Sequence, residues 1–210
     1  MKRIHTRSYL LILIALLIGG LQSRTGCAAD ISKLAAIVNE IGVKGQGHNE
    51  ARSAMAQLAK LGPKSSVAIL SQFDSDNNLA VNWLRAAVDG ILEKAVAEQQ
   101  DLPVGELVAF LEDRGQDARA RRVAYEWIVQ VEPQRKSAIL EKSLNDPSLE
   151  IRREAVEFAL DSATRVEESS LENALEIYRS TLVSARDIDQ IDSITESIRR
   201  LGGTVDLPSH

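Results

Sequence analysis

Four segments of the chain repeat the pattern arginine, any residue, alanine, hydrophobic residue, and the distance between the copies limits the folds that the chain can adopt. The anchoring arginines are Arg52, Arg85, Arg122 and Arg153, at intervals of 33, 37 and 31 residues. A degenerate fifth copy begins at Arg186, 33 residues further on. Repeats of this length are typical of solenoids, in which each repeat buries its apolar face against its neighbours.

The alanine of each copy indicates close helix packing. It stands two positions after the anchoring arginine, at Ala54, Ala87, Ala124 and Ala155. A small side chain lets two helices approach each other, whereas a leucine at the same place holds the axes apart or strains the contact. We therefore expect these four alanines to be buried where helices meet.

The hydrophobic pattern between and beyond these segments is helical as well. From Asp30 onward apolar residues recur at helical spacing, and Gly, Pro, Asp and Asn mark turns at short intervals, with no alternating strand pattern between them. The predicted fold class is all-α: an α-solenoid of about five antiparallel helix pairs over residues 30–201, followed by a C-terminal tail or linker, residues 202–210. The ten predicted helices have the approximate limits 31–42, 49–61, 65–73, 79–98, 104–114, 117–131, 135–144, 148–164, 170–184 and 187–201.

Several predicted helix ends follow from side-chain and backbone chemistry. Asp146 is suited to accept the unpaired N–H groups of the helix it opens, while Pro147 occupies the first turn, where a missing donor costs nothing. Ser169 and Glu172 have the spacing of a capping box. The glycine pair 202–203 can supply the left-handed residue that ends the last helix.

Residues 146–155 carry the motif that identifies a repeat family. They read Asp-Pro-Ser-Leu-Glu-Ile-Arg-Arg-Glu-Ala, a helix opening followed by a branched apolar residue, an arginine and an alanine. In this the chain resembles the HEAT repeat family, including exported bacterial HEAT-repeat proteins, although armadillo-like helical arrays share most of the pattern. Residues 78–87 match more loosely, with Trp83 at the branched position and Leu84 at the arginine. The resemblance implies stacked helix pairs with an extended curved surface for a protein or peptide.

The first 29 residues have the composition of a signal peptide. Three basic residues within positions 2–7 precede an uncharged apolar run of 13 residues, 9–21, and small residues follow at 26–29. A membrane-spanning helix needs about 20 apolar residues, so the run favours an excised signal over a retained anchor. We expect cleavage after Ala29 and a periplasmic or secreted protein; the alternatives are an uncleaved anchor and lipidation at Cys27.

Charge and cysteine content narrow the classes of partner. The chain has a formal net charge of −5 and 1 cysteine. Removal of residues 1–29 takes away four basic residues and that cysteine, leaving a chain with a formal charge of −9. A disulfide scaffold and a cysteine zinc site are excluded, and nucleic acid or anionic lipid would be repelled. The expected partner is therefore a protein or peptide, with no nucleic acid, and no membrane unless the signal segment is retained.

The inventory of catalytic residues is small. Beyond residue 29 the chain keeps two histidines, His48 and His210, too few for a three-histidine metal centre. The glycine-rich stretch 42–48 lacks the spacing of a phosphate-binding loop, so a hinge between the first two helices is favoured. Turn carboxylates occur without a calcium-binding loop pattern. We expect no enzyme, no cofactor and no metal.

Three arginines are the candidate interaction residues: Arg85, Arg122 and Arg153. Stacked repeats would bring Arg122 and Arg153 to equivalent positions. Two interpretations remain open: a ladder in which each arginine pairs with turn acids such as Asp113, Asp117 or Asp146, and an anion-binding stripe. Pairing within the chain is favoured because it satisfies turn groups that would otherwise be poorly paired.

The two tryptophans are predicted to belong to the core. Trp83 lies two residues before its anchoring arginine and Trp127 lies five residues after its own, so the two are not equivalent in the repeat. A shared aromatic row for ligand binding is therefore not expected, although aromatic side chains are enriched at binding hot spots.

The sequence as a whole predicts an exported helical-repeat scaffold that binds a protein or peptide and catalyses nothing. Repeat arrays offer extended curved surfaces, which suit that role. One alternative is a structural spacer for a downstream domain absent from this chain. Another is a repeat-fold enzyme, such as a base-excising glycosylase or a bilin lyase, with its site in a concave groove; converging carboxylates and an aromatic wall would identify it.

Overall fold

The computed structural model describes residues 30–73 and 76–205, and their regular structure is helical. The predicted signal segment, residues 1–29, and the end of the predicted tail lie outside the described residues. Helix bounds fall inside or within about two residues of the predicted ones, so the all-α prediction is confirmed. The helices are α1 (30–39), α2 (His48–Leu58), α3 (Ser66–Leu70), α4 (Asn78–Ala97), α5 (Val104–Glu112), α6 (Ala118–Val131), α7 (Lys136–Leu140), α8 (Leu149–Val166), α9 (Leu171–Ser184) and α10 (Ile188–Arg200).

Helices α3 and α7, each the first helix of its pair, are shorter than predicted for the same local reason. Each follows a 3₁₀ turn that begins with proline, Pro63–Ser65 before α3 and Pro133–Arg135 before α7. Proline at the first helical position has its φ angle already set for a helix and lacks a donor that would be unpaired there. The chain therefore enters both helices through a tight turn.

The chain divides into two compact units, unit 1 (residues 1–103) and unit 2 (residues 104–210). In unit 1, α4 packs against α2 and α3. Asn77 joins the end of α1 to the start of α4: its carbonyl accepts a hydrogen bond from the Ala80 N–H at 3.1 Å, and its amide donates to the carbonyls of Asn39 at 2.8 Å and Ile41 at 2.9 Å. One side chain therefore caps a helix and satisfies the end of another.

Unit 2 contains three helix pairs, α5 with α6, α7 with α8, and α9 with α10. The second helices also contact one another, α6 against α8 and α8 against α10, and α8 packs along α9. The C-terminal part of this unit is held by one apolar cluster, whose burial removes apolar surface from water. Its buried members are Val156, Ala163, Ala174, Tyr178, Leu182, Ala185, Ile194 and Ile198.

The repeat alanines occupy the positions that the sequence predicts. All four are buried: Ala54 on α2, Ala87 on α4, Ala124 on α6 and Ala155 on α8. The anchoring arginines of these copies lie on the same even-numbered helices. The fifth copy differs, because Arg186 lies in the loop between α9 and α10, where its Nη1 donates to the carbonyls of Val183 at 2.9 Å and Ala185 at 2.8 Å.

The structure confirms one predicted helix end and corrects two others. Gly202, with φ of +77°, ends α10 in a Schellman motif, and the Gly203 N–H donates to the Ile198 carbonyl at 2.8 Å. The N-cap of α9 is Ser170, one residue after the predicted Ser169, and it accepts from the Asn173 N–H. Helix α8 is capped by Ser148 rather than Asp146, whose carboxylate has another partner. No helix in the described parts of the chain has both the length and the apolarity to span a bilayer.

Candidate functional site

The three predicted arginines lie on second helices of their pairs and differ in what they contact. Arg85, on α4 of unit 1, lies 3.4 Å from Asp89 one turn further along the same helix. Arg122, on α6, and Arg153, on α8, belong to unit 2, and each contacts an acid on a neighbouring helix. Unit 2 therefore holds the contacts on which the ladder interpretation depends.

Arg122 links α6 to α8. Its Nε donates to Glu126 Oε1 at 2.8 Å on its own helix, and its Nη1 lies 2.6 Å from Glu154 Oε1 on α8. The guanidinium carbon also lies 5.2 Å from the centre of the Tyr125 ring, within the range of a cation–π contact. The arginine is thus held by two carboxylates and an aromatic face.

Glu154, on α8, receives contacts from two other helices, α6 and α7. It accepts a hydrogen bond from the Tyr125 hydroxyl at 2.7 Å, and the Lys136 Nζ of α7 lies 3.7 Å away. Burial by itself would raise the pKa of Glu154, but the hydrogen bonds from Tyr125 and Arg122 and the positive charges of Arg122 and Lys136 outweigh it, so the pKa is lowered. Burial and the bond to Glu154 raise the pKa of Tyr125, which keeps its proton as the donor.

Arg153 makes the corresponding link from α8 to α10. Its Nη1 lies 3.1 Å from Asp187 Oδ2, and its Nη2 donates to Asp189 Oδ2 at 2.5 Å. The hydrogen bond from Arg153 holds the pKa of Asp189 below its ordinary value. These side chains are exposed to solvent, which weakens the interaction relative to a buried pair.

Together these contacts form a set that we call the carboxylate ladder, namely Arg122 with Glu154 and Arg153 with Asp187 and Asp189. In each step an arginine of one second helix contacts an acid on the next second helix or on its N-terminal cap. The acids lie at or within helices rather than at the predicted turns. Two of the predicted turn acids have local roles instead: Asp113 accepts from the Gly115 N–H at 3.0 Å, and Asp117 caps α6.

A buried ion pair in unit 2 joins the third predicted turn acid, Asp146, to Arg121, an arginine that the ladder interpretation does not include. Arg121, only 2% exposed, donates from Nη1 and Nη2 to the two carboxylate oxygens of Asp146 at 2.7 Å each, and from Nε to the Leu111 carbonyl at 2.8 Å. Asp146 also accepts from the Ser148 N–H at 2.9 Å, and its carbonyl accepts from Arg152 Nε at 2.9 Å. In the sequence, the arginine doublets at 121–122 and 152–153 could have indicated this second set of contacts. The first arginine of each doublet contacts Asp146, and the second belongs to the ladder.

A second unpredicted cluster joins the far ends of α8, α9 and α10. Glu167 accepts from Arg200 Nη2 at 2.7 Å and Nη1 at 2.9 Å, and from the Tyr178 hydroxyl at 2.7 Å. The bonds from Arg200 and Tyr178 lower the pKa of this carboxyl. Arginine–carboxylate pairs therefore tie α8 to α10 at both ends, through Arg153 at their starts and through Arg200 at their ends.

Three exposed apolar side chains lie at the helix ends that adjoin the Arg153 step of the ladder. Leu149 is 64% exposed and lies one turn before Arg153 on α8, while Ile188, 77% exposed, lies between its two acidic partners. Val183, 57% exposed, lies in the last turn of α9, at the end next to the start of α10. We call Leu149, Arg153, Val183 and Ile188 the α8–α10 end surface. A contiguous patch of exposed apolar groups rimmed by polar ones marks an interaction site.

A cavity of about 160 Å³ opens between α5, α7 and the start of α6 in unit 2. Its walls combine three aliphatic side chains with charged ones. The lining residues are Val108, Leu111, Glu112, Arg114, Arg121, Ile139, Lys142, Ser143 and Asp146.

The tryptophans and His48 show how far the core prediction holds. Trp127 is 4% exposed, which confirms its place in the core. Trp83 is half-buried, and its ring lies 5.5 Å from that of His48 at the start of α2. His48 follows the left-handed Gly47, with φ of +68°, so the glycine-rich stretch serves as the entry to a helix.

The described residues contain no group of three or more His, Cys, Asp or Glu side chains that could hold a metal ion. Comparison of the chain with protein-family models, with curated proteins and with solved structures gives no match in any of the three.

Proposed function

We propose that this protein is a helical-repeat scaffold of the HEAT or armadillo-like kind, exported from the cytoplasm, that binds a protein or peptide partner and does not act as a catalyst. The observation that carries the proposal is the α8–α10 end surface, where three aliphatic side chains stay more than half exposed. The scaffold role also accords with a repeat fold, whose curved surfaces suit protein partners.

The carboxylate ladder supports the stacked arrangement. Arg122 and Arg153 come from equivalent positions of successive repeats, and both reach forward along the stack to the next second helix. Equivalent residues making equivalent contacts are what a solenoid requires, because each repeat meets only its neighbours. The buried repeat alanines add to this support, since they permit the close helix approach on which stacking depends.

The same ladder argues against an anion-binding stripe. Arg122 lies against two carboxylates, and Arg153 against two others. An incoming anion would have to displace a carboxylate held at or below 3.1 Å by the same guanidinium, in exchange for an equivalent contact. The partner is therefore expected to recognise aliphatic groups at this end of unit 2, with Arg153 contributing position and specificity.

The internally paired ladder favours a structural spacer as the second candidate function. A spacer needs rigid neighbour contacts and no binding surface, and the arginines of unit 2 supply such contacts. The two candidates differ in what they predict for Leu149 and Ile188. A partner-binding scaffold covers these side chains in the cell, whereas a spacer leaves them in water.

Photo-crosslinking in the producing cells tests this directly. A benzophenone amino acid is placed at position 188 or 149, and at position 96 as a matched control, since Val96 is an exposed aliphatic residue of unit 1. The scaffold predicts a light-dependent adduct of one discrete mass at both 188 and 149 and none at 96. Absence of any adduct at 188 and 149 contradicts the proposal and favours the spacer. The same mixture of adducts at all three positions also contradicts it.

A further inference from the structure

The cavity between α5 and α7 has the form of a small binding site. Its apolar wall is made by Val108 and Leu111 of α5 and Ile139 of α7. Its volume of about 160 Å³ is close to that of an engineered cavity of about 150 Å³ that binds benzene. The space therefore accommodates an apolar group of about six carbon atoms.

The charged residues that line the cavity do not cancel one another. The buried pair of Arg121 and Asp146 is neutral as a whole, and the remaining charges are those of Arg114, Lys142 and Glu112. Among the lining residues alone, two cations and one acid leave an excess of one positive charge, on a chain whose formal net charge is −5. A local excess of positive charge attracts an anion.

The cations are placed where a ligand's head group would lie. Arg114 donates from Nη2 to the Lys142 carbonyl at 3.2 Å, which ties the loop after α5 to the end of α7 across the cavity. Both residues are exposed, while Arg121 is buried. The hydrogen bonds of Arg121 to Asp146 and Leu111 use three of its five N–H donors, one at Nε and one on each terminal nitrogen. The cavity lining thus combines an aliphatic wall, two exposed cations and a buried guanidinium.

From this arrangement we infer that the cavity binds a carboxylate attached to a branched aliphatic group of about six carbons. Two sources have this chemistry: a free short-chain acid, and the C-terminus of a polypeptide that ends in leucine. The inference goes beyond the proposed function and does not depend on it, because the cavity and the α8–α10 end surface share no residue.

Titrations followed by NMR on the full chain, purified as the cells process it, test the inference. The probes are 4-methylpentanoate, acetyl-Gly-Gly-Leu with a free carboxylate, and the corresponding primary amides of both. A ligand of this size is expected to bind with a dissociation constant of about 1 mM. Shifts should appear at the methyl groups of Val108, Leu111 and Ile139, and the amides should bind at least about tenfold more weakly because they lack the charge.

Variants separate this site from weak association elsewhere. The exposed cations are replaced in R114M and K142M, and Lys64, an exposed lysine of unit 1, is replaced in the matched control K64M. Binding should weaken several-fold in R114M and K142M and stay unchanged in K64M. The inference is overturned if neither acid shifts these methyl groups, if the amides bind as tightly as the acids, or if the variants bind like the unmodified protein. If only the peptide acid binds, the natural ligand is the C-terminus of a polypeptide. If both acids bind, a free short-chain acid is a ligand as well. Either result supports the inference.

Discussion

Two arginine–carboxylate links in unit 2 use the same chemistry in opposite environments. Arg121 and Asp146 are buried side by side, with further hydrogen bonds from the Ser148 N–H and to the Leu111 carbonyl. Arg153 lies in solvent and shares its charge between Asp187 and Asp189. Both connect one helix pair of unit 2 to the next, so the contrast separates the effect of burial from that of connectivity.

Burial determines what each link contributes. The charges of Arg121 and Asp146 are removed from water, so each depends on the other, and loss of one partner leaves an uncompensated buried charge. The charges around Arg153 keep most of their hydration, and salt screens them. The Arg121–Asp146 pair therefore fixes the position of α6 against the loop before α8. The exposed Arg153 pair contributes less to stability and is accessible to a partner.

The largest effect is expected from Asp146→Asn. The substitution keeps an acceptor for the Ser148 N–H and removes the charge opposite Arg121, so the free energy of unfolding should fall by about 3–5 kcal/mol. Denaturation by urea, followed by circular dichroism, measures it. Asp161→Asn, at an exposed aspartate of α8, is the control and should change little. Equal changes in the free energy of unfolding for the two substitutions would show that the buried charge of Asp146 contributes no more than an exposed one.

The next effect concerns packing without charge. Ala124→Leu adds three carbon atoms at a fully buried repeat position on α6, and overpacking should lower the free energy of unfolding by about 1–3 kcal/mol. The same denaturation experiment measures it, with Ala109→Leu, at an exposed alanine of α5, as the control. An unchanged midpoint for the Ala124 variant would remove the case for close helix approach at this position.

The half-buried step of the ladder should respond to pH. Because the pKa of Glu154 is lowered in the folded protein, its stabilising effect is present above the ordinary value of 4.5 and is lost as the pH falls through the lowered folded-state pKa. Glu154→Gln should cost about 1 kcal/mol at neutral pH, and the difference from the unmodified protein should shrink below pH 4.5. Glu157→Gln, on the exposed side of α8, controls for the loss of a charge. A difference that stays constant down to pH 3 would exclude this role of the carboxylate.

The smallest effect is expected at the exposed step. Arg153→Gln should shift the thermal midpoint only slightly at low salt, and the shift should vanish at about 1 M NaCl, where the screening length is about 3 Å. Arg165→Gln, at another exposed arginine of α8, provides the comparison. A large shift that persists in high salt would mean that Arg153 acts as a structural link like Arg121.

Features that depend on local sequence were predictable. The glycine pair at 202–203 ends α10 as expected, because the left-handed conformation needed there suits a residue without a side chain. The burial of Ala124 and its counterparts followed from the repeat, since a small residue at a fixed place in every copy has a packing reason. Helix positions followed from hydrophobic period and turn residues in the same way.

Features that depend on the choice between partners were not predictable. Asp146 has the chemistry of a helix cap, but Arg121 takes its carboxylate and Ser148 caps α8 instead. Arg121 itself would be expected on the solvent side of α6, because a charged residue is rarely buried unless it is paired. Sequence spacing does not reveal that its partner is Asp146. Trp83 was expected in the core, but it is half-buried and its ring lies beside that of His48. His48 precedes it by 35 positions, and sequence spacing does not reveal a contact over that distance.

A double-mutant cycle on Arg121 and Asp146 tests most directly whether a buried ion pair joins successive helix pairs of unit 2. The variants are Arg121→Met, Asp146→Asn and the two combined, and the quantity measured is the free energy of unfolding. If the pair acts as one unit, the double variant should lose about 2–3 kcal/mol less than the sum of the two single losses. Additivity within about 0.5 kcal/mol would contradict the account, because it would mean that the two side chains stabilise the fold independently.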